Sequence, residues 1–150
     1  MRVYNIEDLE TFERDENGFL ICPSGDYRNI KKFGERCSFG ERCSFGEWCS
    51  FGERCSFGER CSFGEWCNLD NKLNFENIKE QVDRVLKIDR IGSRNDCTYF
   101  FKTLSEIYVR CGCFFGTIDK FKSKVMETHK NSEQYKKEYL EAIKYVKAIL

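Results

Sequence analysis

One histidine and one proline are all that the 150 residues contain, and neither sign of charge is in excess, with 25 basic side chains against 25 acidic ones. That balance excludes a protein that coats nucleic acid non-specifically, because such binding rests on a surplus of Lys and Arg. No apolar run approaches the ~20 residues of a membrane-spanning helix. The N-terminal stretch MRVYNIEDLETFERDENG interleaves charged and apolar residues and lacks the apolar centre of a secretory signal. A cytoplasmic protein is expected, and its 10 cysteines have to be explained without an oxidising compartment. With 41% hydrophobic and 15% aromatic residues, the chain has the apolar surface for a packed core and is not of disordered composition.

What is abundant is a repeat. Residues 33 to 68 read FGERCS, FGERCS, FGEWCS, FGERCS, FGERCS, FGEWCN, one hexad written six times. Phe and Cys recur at intervals of four and two, always even, which keeps both on one face of an extended chain and predicts β structure. Trp48 and Trp66 stand where the other hexads have Arg36, Arg42, Arg54 and Arg60, so the full period is 18 residues. Strands offset by that period place Phe33 over Phe51, Phe39 over Phe57 and Phe45 over Phe63. Burying each ring is worth about 1.5–3 kcal/mol.

The same offset pairs Cys37 with Cys55, Cys43 with Cys61 and Cys49 with Cys67. In parallel strands the two thiols point the same way, which suits disulfide torsions badly. The repeat holds no histidine and its cysteine spacing is not that of a zinc knuckle, so buried free thiols are expected, with no metal and no cofactor. Glu and Arg form columns on two outer faces and read as a solvated surface. The third face pairs Trp48 and Trp66 with Glu47 and Glu65 and has no Arg. Exposed tryptophans side by side mark a partner surface: first another subunit, then the chain's own C-terminal part, then a ligand.

The order Phe, Gly, two variable residues, small Cys, variable residue resembles the hexapeptide signature of left-handed β-helix proteins. Counting in sixes extends it back to Tyr27 and Ile21 and forward to Leu69 and Phe75, with Asp70 and Glu76 at the Gly-or-acid position. The resemblance implies a short left-handed parallel β-helix of about three coils. The expected organisation is a cap segment over 1–20, the helix over 21–74 and a separate module over 75–150. The family is best known for acyltransferases, trimers that bind acyl-coenzyme A between coils and use a histidine base. This sequence places no histidine in or near its coils, so the acyltransferase reading comes last.

Residues 69–150 hold 16 basic and 12 acidic side chains, against 9 and 13 in 1–68, so an acidic repeat carries a basic module. Asn74 followed by Phe75, Ile78, Val82, Val85 and Leu86 predicts a capped helix ending near Ile88. CTYFFKT and IYVRCGCFF predict a hairpin, and Thr117–His129 and Ser132–Leu150 two helices. The module therefore reads αββαα, and the fold class α+β. IGSRNDCTYFFKT, GCFFGTIDKFKSKV and ETHK resemble a small C-terminal module of uncharacterised bacterial and phage proteins, over roughly residues 88–150. That resemblance implies a phage or bacterial origin and assigns no reaction.

Ser93, Arg94, Lys102, Gly116 and Thr117 are the candidate ligand residues, since free N–H groups at a helix start beside cations suit an anion. His129 falls at a helix C-terminus, where a cation needs no catalytic role. Cys111 and Cys113 straddle Gly112 on one side of a strand and are read as packing. No nucleophile, base and orienting acid can be assembled, so an enzyme is not the expectation. The functional expectation is a noncatalytic binding protein, homotrimeric through Trp48 and Trp66, phage-encoded and acting in the host cytoplasm on a defence component or a small nucleotide-like anion. A structural scaffold is the alternative.

Overall fold

The computed structural model describes residues 1–69, 71–92 and 96–150. The fold is α+β, in two compact units, Met1–Val82 and Asp83–Leu150.

The first unit opens with a short helix, α1 (Ile6–Leu9), and continues in short strands: β1 (Leu20–Cys22), β2 (Lys32–Phe33), β3 (Cys37–Phe39), β4 (Ser44–Phe45), β5 (Ser50–Phe51), β6 (Ser56–Phe57) and β7 (Ser62–Phe63). β8 (Leu73–Phe75) and a longer β9 (Ile78–Val82) end it. β2 pairs with β5, β3 with β6 and β4 with β7, all parallel, with Phe33 opposite Phe51, Phe39 opposite Phe57 and Phe45 opposite Phe63. The 18-residue offset read from the repeat is the observed register. β6 extends it to β8, Phe57 facing Phe75.

Three phenylalanines at each level fit because their rings alternate in orientation. Along a column they lie nearly parallel, at 5.1 Å for Phe33 and Phe51, 5.3 Å for Phe39 and Phe57 and 5.2 Å for Phe45 and Phe63. Between columns they meet edge to face, at 87° for Phe39 and Phe45 and 89° for Phe33 and Phe39. Edge-on contacts set the positive rim of one ring against the negative face of the next. Tyr27 continues the Phe45 column, and Tyr4 covers Tyr27 at 5.2 Å, with Phe12 edge-on to Tyr4. The N-terminal segment thus closes one end of the aromatic core.

Each hexad turns at its Glu-Arg or Glu-Trp pair. Arg36, Arg42, Trp48, Arg54, Arg60 and Trp66 all have positive φ, between 57° and 64°, in the region that non-glycine residues enter at a cost of about 1–2 kcal/mol each. The repeat's glycines serve another purpose. A Cβ on Gly58 would lie 2.6 Å from Glu41 N, and one on Gly64 2.5 Å from Glu47 N, so these glycines let neighbouring chain segments approach.

Two expectations change here. Ile21 is exposed, and Leu20 and Cys22 point inward instead. β1 pairs with β3 at an offset of 17, Cys22 opposite Phe39, so the count of six slips by one before Pro23. The helix expected from Phe75 to Ile88 is absent. β8 and β9 form an antiparallel pair with Phe75 opposite Ile78, and Val85 and Leu86 belong to a later strand. The spacing of four from Ile78 to Val82 fits one helix face and one strand face equally, and pairing with β8, itself laid along the edge of β6, decides for the strand.

The second unit is a four-stranded antiparallel sheet followed by two helices, not the αββαα arrangement. Its strands β10 (Arg84–Ile91), β11 (Asp96–Lys102), β12 (Ile107–Cys111) and β13 (Phe114–Thr117) lie in sequence order. The expected hairpin is β11 and β12. Its second half splits at Gly112 (φ 58°), where a tight turn starts β13. Helices α2 (Ile118–Thr128) and α3 (Glu133–Ile149) fall where the sequence places them, and Thr117 Oγ1 caps α2 by accepting from Lys120 N at 3.3 Å. Phe100, Val109, Phe121, Val125, Tyr139, Ile143 and Val146 form the core between sheet and helices.

Candidate interaction surface

Six repeated cysteines are the densest chemical group in the chain. All 10 cysteines are free thiols, and Cys37, Cys43, Cys49, Cys55 and Cys61 are buried. Among the described residues no group of His, Cys, Asp and Glu could hold a metal ion. The thiols satisfy the backbone instead. Cys43 donates to Gly40 O at 3.2 Å, Cys49 to Gly46 O at 3.0 Å, Cys55 to Gly34 O at 3.2 Å and Cys67 to Gly46 O at 3.1 Å. A small side chain with a weak donor meets glycine carbonyls that the strand ladder leaves over.

This packing gives the fold an alkaline limit. The Cys22 thiol, then burial, pushes Cys37 up to about 12, although its hydrogen bond with Cys55 acts the other way. Contact with Cys37, then burial, raises Cys55, and contact with Cys67, then burial, raises Cys49. An acid with a raised pKa in the folded state contributes its full stability below its unfolded pKa, ~8.5 for a thiol, and loses it as pH rises further. Each such thiol costs about 1.4 kcal/mol per pH unit in that window. Urea midpoints measured under reducing conditions should be level from pH 6 to 8 and fall steadily from 9 to 11. A midpoint unchanged at pH 10.5 would show that the thiols are not sealed in the core.

Trp48 and Trp66 stack on the surface with ring centroids 5.7 Å apart and planes at 17°, and they remain 63% and 71% exposed. Both residues sit at positive φ in the turns of their hexads, and Trp48 N donates to Glu65 O at 3.0 Å, which ties the two hexads together at this corner. Glu47 and Glu65 flank the indoles, and the Lys31 ammonium sits at the margin on Glu47 O, 2.8 Å away. The patch is aromatic, acidic and held by backbone bonds.

The proposed anion residues fare differently. Ser93 and Arg94 lie outside the described residues. Lys102 ends β11 and Thr117 ends β13, so both stand at the same end of the sheet, with the start of β12 between them. Gly116 is inside β13 opposite Val109 and not in an open turn. The Thr117 hydroxyl is already engaged as the helix cap, and Asp119 occupies the first turn of α2, where its charge opposes an incoming anion. Cys111 and Cys113 do not share a strand face: Cys111 ends β12 and Cys113 is exposed in the turn. His129 stacks on Tyr139 at 5.4 Å and caps α2 through its backbone N–H, a structural role.

One feature escapes a residue-by-residue reading. Between α2 and α3 runs a groove of about 360 Å³, lined by Leu140 and Ile143 with Lys122, Lys144 and Lys147 along it. Lys147 is paired with Asp119 at 3.2 Å, while Lys122 and Lys144 make no ion pair among the described residues. The signal was available as lysines beside the apolar stripe of α3, but only the packing of α2 shows that they face one groove.

No helix among the described residues is long and apolar enough to cross a membrane. Compared with known protein families, with curated proteins and with solved structures, the chain matches none.

Proposed function

We propose that this chain is a noncatalytic interaction protein in which the repeat forms a short left-handed β-helix that displays Trp48 and Trp66 as its contact surface. The stacked, exposed indoles carry the reading. Large aromatic rings left in water on a rigid support cost free energy that a partner recovers by covering them, and tryptophan is the residue most enriched at energetic centres of interfaces. The parallel register at 18 residues supports the winding, and the hexapeptide resemblance supplies its hand. Self-association, with a trimer as the expected form, is the simplest way for such a surface to be covered.

Because the chain has only two tryptophans, both on this patch, fluorescence excited selectively at the red edge of indole absorption, where the seven tyrosines do not absorb, reports on it alone. Raising the concentration through the micromolar range should shift the emission to the blue as sedimentation shows particles heavier than a monomer. The Trp48→Ser/Trp66→Ser variant should remain monomeric with an unchanged melting temperature. A wild-type monomer with fully exposed emission at ~100 μM, a concentration at which even weak specific contacts form, would overturn this reading.

A further inference from the structure

We infer that the Trp48–Trp66 patch of one copy docks in the groove between α2 and α3 of a second copy. The inference rests on the interaction reading above and names the occupant of that surface. The two surfaces are opposites. The patch offers two stacked indoles between Glu47 and Glu65. The groove offers an apolar floor, Leu140 and Ile143, and an ammonium rim, Lys122 and Lys144, with no carboxylate partner among the described residues. Apolar rings meet an apolar floor and each carboxylate meets a cation, an arrangement that gives register and orientation as well as attraction. Ammonium groups beside indole faces add a cation–π contribution.

The contact joins two different surfaces and is therefore head to tail. Such contacts close into a ring when the rotation between copies allows and otherwise continue as an open chain. A ring of three would give the trimer expected from the sequence, and each copy would contribute one patch and one groove. The contact rests on two indoles and a few charge pairs at the surface, so association should be salt-sensitive and in the micromolar range.

Charge reversal tests the pairing with two variants that keep both tryptophans, Glu47→Lys/Glu65→Lys and Lys122→Glu/Lys144→Glu. All four positions are on the surface, and far-UV circular dichroism with thermal melting checks that each variant folds. Each variant alone should lose self-association by at least about tenfold in Kd, since like charges then face each other across the contact. The mixture should associate, because the altered patch fits the altered groove and the remaining wild-type patch fits the remaining wild-type groove. If Lys122→Glu/Lys144→Glu self-associates as the wild type does, the groove is not the occupant and the inference falls. If the mixture stays monomeric, it falls as well. In both cases loss of association in Trp48→Ser/Trp66→Ser would leave the patch itself standing as an interface, whereas a monomeric wild type would remove both.

Discussion

Phe51→Ala should lower the unfolding free energy by about 4–5 kcal/mol, at the upper end of the range for deleting a buried ring. Phe51 lies in the middle of the aromatic core: it stacks on Phe33 at 5.1 Å and meets Phe45 and Phe57 edge-on, each at 5.0 Å. With Phe39 and Phe63 also edge-on at 5.9 Å, removing the ring breaks one parallel and four perpendicular contacts at once. The surrounding rings cannot close the gap without giving up their own alternating orientation. Glu53→Ala, two residues away and exposed, should change stability by no more than about 0.5 kcal/mol. Chemical denaturation of the two variants side by side decides the matter, and equal effects would mean that inside and outside have been exchanged.

Gly58→Ala should destabilise by about 3 kcal/mol or more, while Gly34→Ala, at the same place in its hexad, should be neutral or stabilising by up to ~1 kcal/mol. The added methyl on Gly58 would press on backbone atoms of residues 40 and 41, at 2.6 Å from Glu41 N and 2.7 Å from Gly40 C. Backbone cannot rotate aside as the end of a flexible side chain can. At Gly34 nothing lies within 4 Å, and alanine there only reduces the freedom of the unfolded chain. Two identical substitutions in identical hexads thus differ because one glycine has a neighbouring segment beneath it and the other does not. Similar melting temperatures for the two variants would contradict the close approach of the segments.

The repeat was the legible part of the chain. Period, register, inward Phe and Cys, outward Glu and Trp, and the free thiols all follow from even spacing and the 18-residue recurrence of Trp. Where the repeat decays, legibility goes with it. Leu20, Ile21 and Cys22 alternate correctly as a strand, yet their phase is set by the residues around Pro23, which no count of six contains. Ile78 and Val82 are four apart and satisfy two periodicities at once. Their choice depends on pairing with β8, which is itself held by β6 far back in the repeat, and local spacing carries no record of that arrangement.

The candidate sites divide in the same way. The Trp patch was legible because a change from Arg to Trp at every third hexad stands out against an otherwise nearly constant unit. The grouping of Lys102 with Gly116 and Thr117 was only partly legible: the topology brings Lys102 and Thr117 to one end of the sheet, but the helix start already has its cap and an acidic first turn. The groove between α2 and α3 was not legible. A lysine next to an apolar stripe is an ordinary solvated residue until a second helix is placed against it.

An aromatic interior that is the same at every level also has a consequence for how such a chain finds its place and how its gene can change. A slip of six residues would still bury Phe on Phe and Cys on Cys, so the middle of the repeat distinguishes poorly between competing alignments. The distinction falls to the irregular ends, Tyr4 on Tyr27 at one and Leu69 and Phe75 at the other, which act as a key for alignment in a landscape with several shallow competitors. By the same reasoning, among insertions or deletions of repeat units only changes of 18 residues would keep both ends fitted and the tryptophans in line. The length of this protein is therefore quantised: it can grow or shrink by whole periods, and each added period of the kind that carries Trp48 would lengthen its exposed tryptophan ladder by one indole.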